Sequence, residues 1–114
     1  MKHASVQALR ATMVLMVMMM PATAPAQQQQ YFALGIGNTS CAFWQADARR
    51  TNEGIAYAQG VFTGLNMMGS GFVGKSTDLM GVVAELKKTC GERPSLAFID
   101  AIFATYARLA KDTP

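Results

Sequence analysis

The sequence holds one histidine, His3, and one tryptophan, Trp44, with two cysteines and only 15% charged residues in 114. Each scarcity weighs against something. His3 lies in a segment that reads as removable, and without it the chain loses the commonest general base and the commonest metal ligand. That weighs against a Ser-His or Cys-His hydrolase and against most zinc sites. Cys41 and Cys90 spell neither C-x-x-C nor C-x-x-C-H, so thioredoxin-like redox chemistry and haem attachment have no motif. The carboxylates Asp47, Glu53, Asp78, Glu85, Glu92, Asp100 and Asp112 are spread along the chain. They offer no close pair for glycosidase or metal chemistry. Ser, Thr and Tyr are present, but no motif positions a base for them. The expectation is a protein that is not an enzyme and needs no cofactor or metal.

Long hydrophobic runs are also missing. The run Ala11–Met20 is shorter than the roughly 20 residues of a membrane-spanning helix. Lys2 and Arg10 precede it, Pro21 breaks it, and small residues ending in Ala24-Pro25-Ala26 follow. This is the pattern of a cleaved export signal. Residues 1–26 are therefore assigned as a signal peptide cut after Ala26, leaving 88 residues, one small domain. Lys2 and Arg10 leave with it, Lys+Arg falls from 10 to 8 against 7 Asp+Glu, and the net charge drops from +3 to +1. The whole-chain pI of about 9.1 thus gives no reason to expect nucleic acid or an anionic membrane as partner. No cysteine stands at the cut, so no lipid anchor is indicated. The expected location is the bacterial periplasm, where two cysteines in a small domain usually form a disulfide.

Gln27–Gln30 is low-complexity, and residues 27–38 read as a flexible leader ahead of a helical domain at 39–111. Asn38-Thr39-Ser40 offers caps for a first short helix, about Ser40–Arg50, with Cys41, Trp44 and Ala48 on one face. A second helix is predicted from Thr51-Asn52 to Met68-Gly69, with Ile55, Ala58, Phe62 and Leu65 as its apolar stripe. Gly60 and Gly64 interrupt it at a G-x-x-x-G interval, and the expectation is that another helix packs closely there. A third helix, capped by Ser76 or Thr77, carries Leu79, Val83, Leu86 and Cys90 on one stripe, with Gly91 placed to end it. Pro94-Ser95 is expected to open a fourth, with Ile99, Ile102, Phe103, Tyr106 and Leu109 buried. The fold class is all-α: a small four-helix bundle stapled by one disulfide, Cys41 to Cys90.

Gly69-Ser70-Gly71-Phe72-Val73-Gly74-Lys75-Ser76 fits the phosphate-loop pattern G-x-x-x-x-G-K-[ST] letter for letter. Its setting fails. A helix precedes it in place of a strand, the chain is too short for a nucleotide-binding sheet, and export would take it where nucleoside triphosphates are scarce. A glycine-rich connection with Lys75 in solvent explains the same letters. Trp44 and Tyr57 are candidate contact anchors, since both types are enriched at binding hot spots, although the only Trp of a small bundle is more often core. Met67-Met68 is either adaptable contact surface or core filler.

With the elements placed, Gly35-Ile36-Gly37-Asn38-Thr39-Ser40-Cys41-Ala42-Phe43-Trp44, then Gly60 to Asn66, Leu86 to Cys90 and Pro94-Ser95-Leu96 form an arrangement. It resembles the small periplasmic helical proteins grouped with the Rap/Tai-type immunity proteins, which neutralise peptidoglycan amidases delivered by type VI secretion. More distantly, it is similar to the HdeA acid-stress chaperones, with a signal peptide, a helical domain and two cysteines nearly fifty residues apart. The resemblance covers about Gly35 to Leu109; Val83 to Lys88 lacks the aromatic it would lead one to expect. It implies a protein partner, with an amidase effector as the target class and a homodimer also compatible. It further implies steric occlusion by the loop Gly69, Gly71, Phe72, Gly74, Lys75, while Trp44 is a candidate contact by residue type alone. The chaperone alternative would require carboxylates to sense acid, and seven of them without a histidine make a weak sensor.

Overall fold

The computed structural model describes residues 32–69 and 71–113, so the signal assigned to residues 1–26 lies outside the described residues. The described chain is a 3-10 turn at Gly35–Asn38 followed by α1 (Cys41–Trp44), α2 (Ala48–Met68), α3 (Leu79–Glu92) and α4 (Phe98–Lys111). This is the all-α, four-helix, disulfide-stapled architecture that the periodicity predicts. Three of its helices are long.

The boundaries differ from the sequence expectation for identifiable reasons. Ala33, Ile36 and Gly37 are buried, so the packed chain starts earlier than residue 39, and the end of the expected leader belongs to the core. The first helix is shorter than Ser40–Arg50. Ser40 caps α1, its hydroxyl oxygen accepting from the Phe43 N–H at 3.1 Å, but Asp47 then starts a new helix by accepting from the Arg50 N–H at 2.8 Å. The break between them is tied by a reciprocal pair. Trp44 Nε1 donates to the Thr51 carbonyl at 3.0 Å, and Thr51 Oγ1 donates to the Trp44 carbonyl at 3.1 Å. Thr51 is therefore inside α2, in place of starting it.

Asp78, rather than Ser76 or Thr77, caps α3 through the Gly81 N–H at 2.8 Å. The helix continues through Gly91 and stops at Glu92, because Arg93 precedes Pro94 and the proline ring disfavours helical backbone one residue upstream. Arg93 accordingly has φ −138° and ψ 70°. Pro94-Ser95 does not open α4. Residues 94–97 run beside the start of α1: Ser40 and Ala97 form an antiparallel bridge. There the Cys41 N–H donates to the Leu96 carbonyl at 2.9 Å, the Ala42 N–H to that of Pro94 at 2.9 Å, and the Phe98 N–H to that of Thr39 at 2.7 Å. The first amides of a helix have no partner within it, and this neighbouring stretch supplies one for α1.

Trp44, Phe98, Leu86, Ile102 and Val83 fill the centre, and the Trp44 and Phe98 rings lie 4.5 Å apart, tilted. Buried Thr89 and Thr105 meet at 3.0 Å between α3 and α4. Each hydroxyl also reaches a carbonyl four residues back, Glu85 at 3.2 Å and Ala101 at 2.8 Å. With one proton on each hydroxyl, two of these three contacts are hydrogen bonds at a time. The close approach expected at Gly60 and Gly64 is absent, since a Cβ built on either meets nothing within 4 Å. The crowded helical glycine of α2 is Gly54, where a Cβ would overlap the Trp44 indole.

Candidate functional site

The loop that joins α2 to α3 is built from two constraints. Glycine is required at Gly71 and Gly74, whose φ values of +81° and +86° lie in the left-handed region that side chains disfavour. Gly74, a fixed glycine of the phosphate-loop pattern, and Gly71 within it are thus turn residues between two helices. The second constraint is Asn66 in the last turns of α2. Its Nδ2 donates to the Val73 carbonyl at 3.0 Å, and its Oδ1 accepts from the Val73 N–H at 3.2 Å and from the Tyr106 hydroxyl of α4 at 3.0 Å. A side-chain amide thereby pairs a loop residue as a neighbouring strand would, and Val73 is buried at 7% exposure.

The Lys75 N–H donates to the Phe72 carbonyl at 3.2 Å and the Thr77 N–H to that of Gly74 at 3.1 Å, closing successive turns. The glycine-rich segment is therefore pinned through Val73. One step before that anchor, Phe72 stands 59% exposed. The Lys75 ammonium lies 5.3 Å from the centre of its ring, within the range in which a cation is attracted to an aromatic face. The pair presents an apolar ring and a positive charge on a fixed stem. Gly69 ends α2, its N–H donating to the Leu65 carbonyl at 3.0 Å.

Of the predicted contact residues, Gly69, Gly71, Phe72, Gly74 and Lys75 come together in this loop, and Trp44 does not. Trp44 is completely buried with its indole N–H satisfied by Thr51, so it is a core residue. Cys41 and Cys90 are bonded, with Cα atoms 5.1 Å apart, and both are buried. Asn66 was missed by sequence reasoning, although an amide seven residues before a valine in a glycine-rich loop leaves little to notice. Asn66→Ala is expected to lower stability by about 1–2 kcal/mol. It should also speed amide hydrogen exchange at 71–75 well beyond the change elsewhere. Unchanged exchange there would show that Asn66 does not hold the loop.

Among the described residues no group of three His, Cys, Asp or Glu side chains could hold a metal ion, and none of the helices is long and apolar enough to cross a membrane. A concave feature lies between the chain at 32–34, α2 and α4. It is a groove of about 490 Å³ lined by apolar side chains, with Tyr57 the one lining residue that carries a polar side-chain atom. No family model, no curated protein and no solved structure matches the chain.

Proposed function

We propose that this domain is a non-enzymatic binding protein that acts by occlusion. The Phe72–Lys75 loop enters a concave site on a protein partner, and a cell-wall amidase is the target class suggested by the resemblance to the Rap/Tai immunity proteins. The supporting observation is the combination of an exposed aromatic ring with a loop fixed from behind by Asn66. A plug must be rigid enough that little ordering entropy opposes binding, and it must offer an apolar group that loses water on insertion. The glycines let the backbone turn sharply enough to present Phe72 at the tip. Blocking a cleft requires no catalytic group in the blocker.

The test uses the purified, oxidised protein as bait in cell-envelope extract at neutral and acid pH, beside Phe72→Ala and a chain shortened across 69–75. A single stoichiometric partner at neutral pH, bound at least ~30-fold more weakly by Phe72→Ala, is the expected result. Capture that survives loss of the loop sinks the plug. Capture of many chains at acid pH alone replaces occlusion with the chaperone alternative.

A further inference from the structure

We infer that the hollow beside the Phe72 loop is a socket for an arginine side chain of the protein partner that receives Phe72, with Asp78 as its counter-charge. The source of that side chain rests on the occlusion reading, whereas the socket rests on its own geometry. The hollow lies between α2, the loop and the start of α3 and has a volume of about 180 Å³. Pockets for drug-sized ligands run to about 300–1,000 Å³, and a cavity of about 150 Å³ suffices for one benzene ring. The hollow therefore has room for one side chain and too little for a nucleotide.

Its lining divides into a part that suits an apolar stem and a part that suits a charged head. Phe62, Val73 and Val82 form an apolar wall, and all three are buried. The methylene groups of a long cationic side chain can lie along such a wall while the head stays among polar groups. Gln59, Thr63 and Asp78 line the same hollow and are exposed. Thr63 Oγ1 donates its one proton to the Gln59 carbonyl at 2.8 Å, so what remains to it is acceptor capacity. Asp78 Oδ1 accepts from the Gly81 N–H at 2.8 Å, and a carboxylate has lone pairs for several further donors.

Charge selects the occupant. Among the described residues Asp78 is the only charged one that lines the hollow, and residues 54–74 hold no Asp, Glu, Lys, Arg or His. The ion pairs Arg50–Asp47 and Arg108–Glu85 engage other carboxylates, and the Lys75 ammonium lies over the Phe72 ring. The α3 macrodipole offsets only about half a unit of the Asp78 charge, so the hollow stays negative and disfavours a phosphate or a carboxylate. Arginine suits it better than lysine, because a planar guanidinium carries five donors and can meet a carboxylate, an amide oxygen and a hydroxyl together. Val73 and Gly74 line the hollow one and two steps after Phe72, so the protruding ring and the socket belong to one contact surface.

Titration of the purified, oxidised protein with butylguanidinium, followed by amide chemical shifts, tests the socket without a partner. Shifts confined to residues 59–66 and 73–82 are expected. Asp78→Asn should weaken binding roughly 3-fold or more, the modest effect of an ion pair open to solvent. Butylurea, which keeps the shape and lacks the charge, should lose as much. Asparagine caps a helix as well as aspartate does, so the unfolding midpoint of the variant should stay close to that of the native chain. Once a captured partner covers the hollow, Asp78→Asn should cost at least ~10-fold in affinity. No localised shifts with butylguanidinium, or equal binding by Asp78→Asn or of butylurea, overturns the socket. So does partner binding that Phe72→Ala weakens and Asp78→Asn leaves intact, in which case the plug stands alone. A butylguanidinium response beside partner capture that Asp78→Asn weakens and Phe72→Ala does not sustains the socket and removes the plug.

Discussion

Reduction of the Cys41–Cys90 bond is expected to lower stability by about 4 kcal/mol and the unfolding midpoint by about 20 °C. The bond spans 49 residues, and the entropy that a loop of this length removes from the unfolded chain gives that figure. A domain this small has only about 5–15 kcal/mol in total, so the bond supplies a large fraction of it. Its placement adds to the effect. α1 has four residues, far fewer than a helix needs to persist alone, and it is held by the disulfide, the Trp44–Thr51 pair and the bridge to residues 94–97. Without the bond the remaining ties must hold Trp44 in the core. The clean comparison is a Cys41→Ala, Cys90→Ala double variant beside the reduced protein, because serine would bury a hydroxyl at positions that are completely inaccessible. A loss below ~1 kcal/mol in both would mean that the unfolded chain is already compact enough for the crosslink to remove little entropy.

The long helices were legible because their stripes repeat. Val83, Leu86 and Cys90 on α3, and Ile99 and Ile102 on α4, are buried as the period requires. The breaks were less legible because they depend on partners elsewhere in the fold. Nothing local in Pro94–Ala97 reveals that its carbonyls are taken by Cys41 and Ala42, which leaves a proline that looks like a helix start. Asp47 was readable in principle, being a capping residue three before Arg50. It was passed over because Cys41, Trp44 and Ala48 continue a helical face through it. Among the candidate contacts, the glycines and Phe72 were found from composition, whereas the burial of Trp44 and the clamp by Asn66 exist only once α2 and α4 are side by side. The groove was illegible for the same reason. It needs Phe32 and Leu34, in a stretch without helical period, to lie against α2.

Replacing Gly54 by valine is expected to cost about 3 kcal/mol, while Gly60→Ala is expected to stabilise the protein by up to about 1 kcal/mol. Both positions are glycines within α2, and helix propensity alone gives them the same sign, since alanine and larger residues restrict the unfolded chain more than glycine does. The surroundings reverse it at Gly54. A Cβ there falls on the Trp44 indole and 3.1 Å from Phe98 Cε1, two of the largest fully buried side chains. The indole cannot retreat cheaply, because its Nε1 is hydrogen-bonded to Thr51 and its ring packs against Phe98. Valine adds branching at the same crowded point. At Gly60 the space is open and only the propensity gain remains. Thermal unfolding of the two variants separates the effects. Equal shifts of the same sign would show that the core accommodates a Cβ between Trp44 and α2, and that the spacing of this helix is not set by the indole.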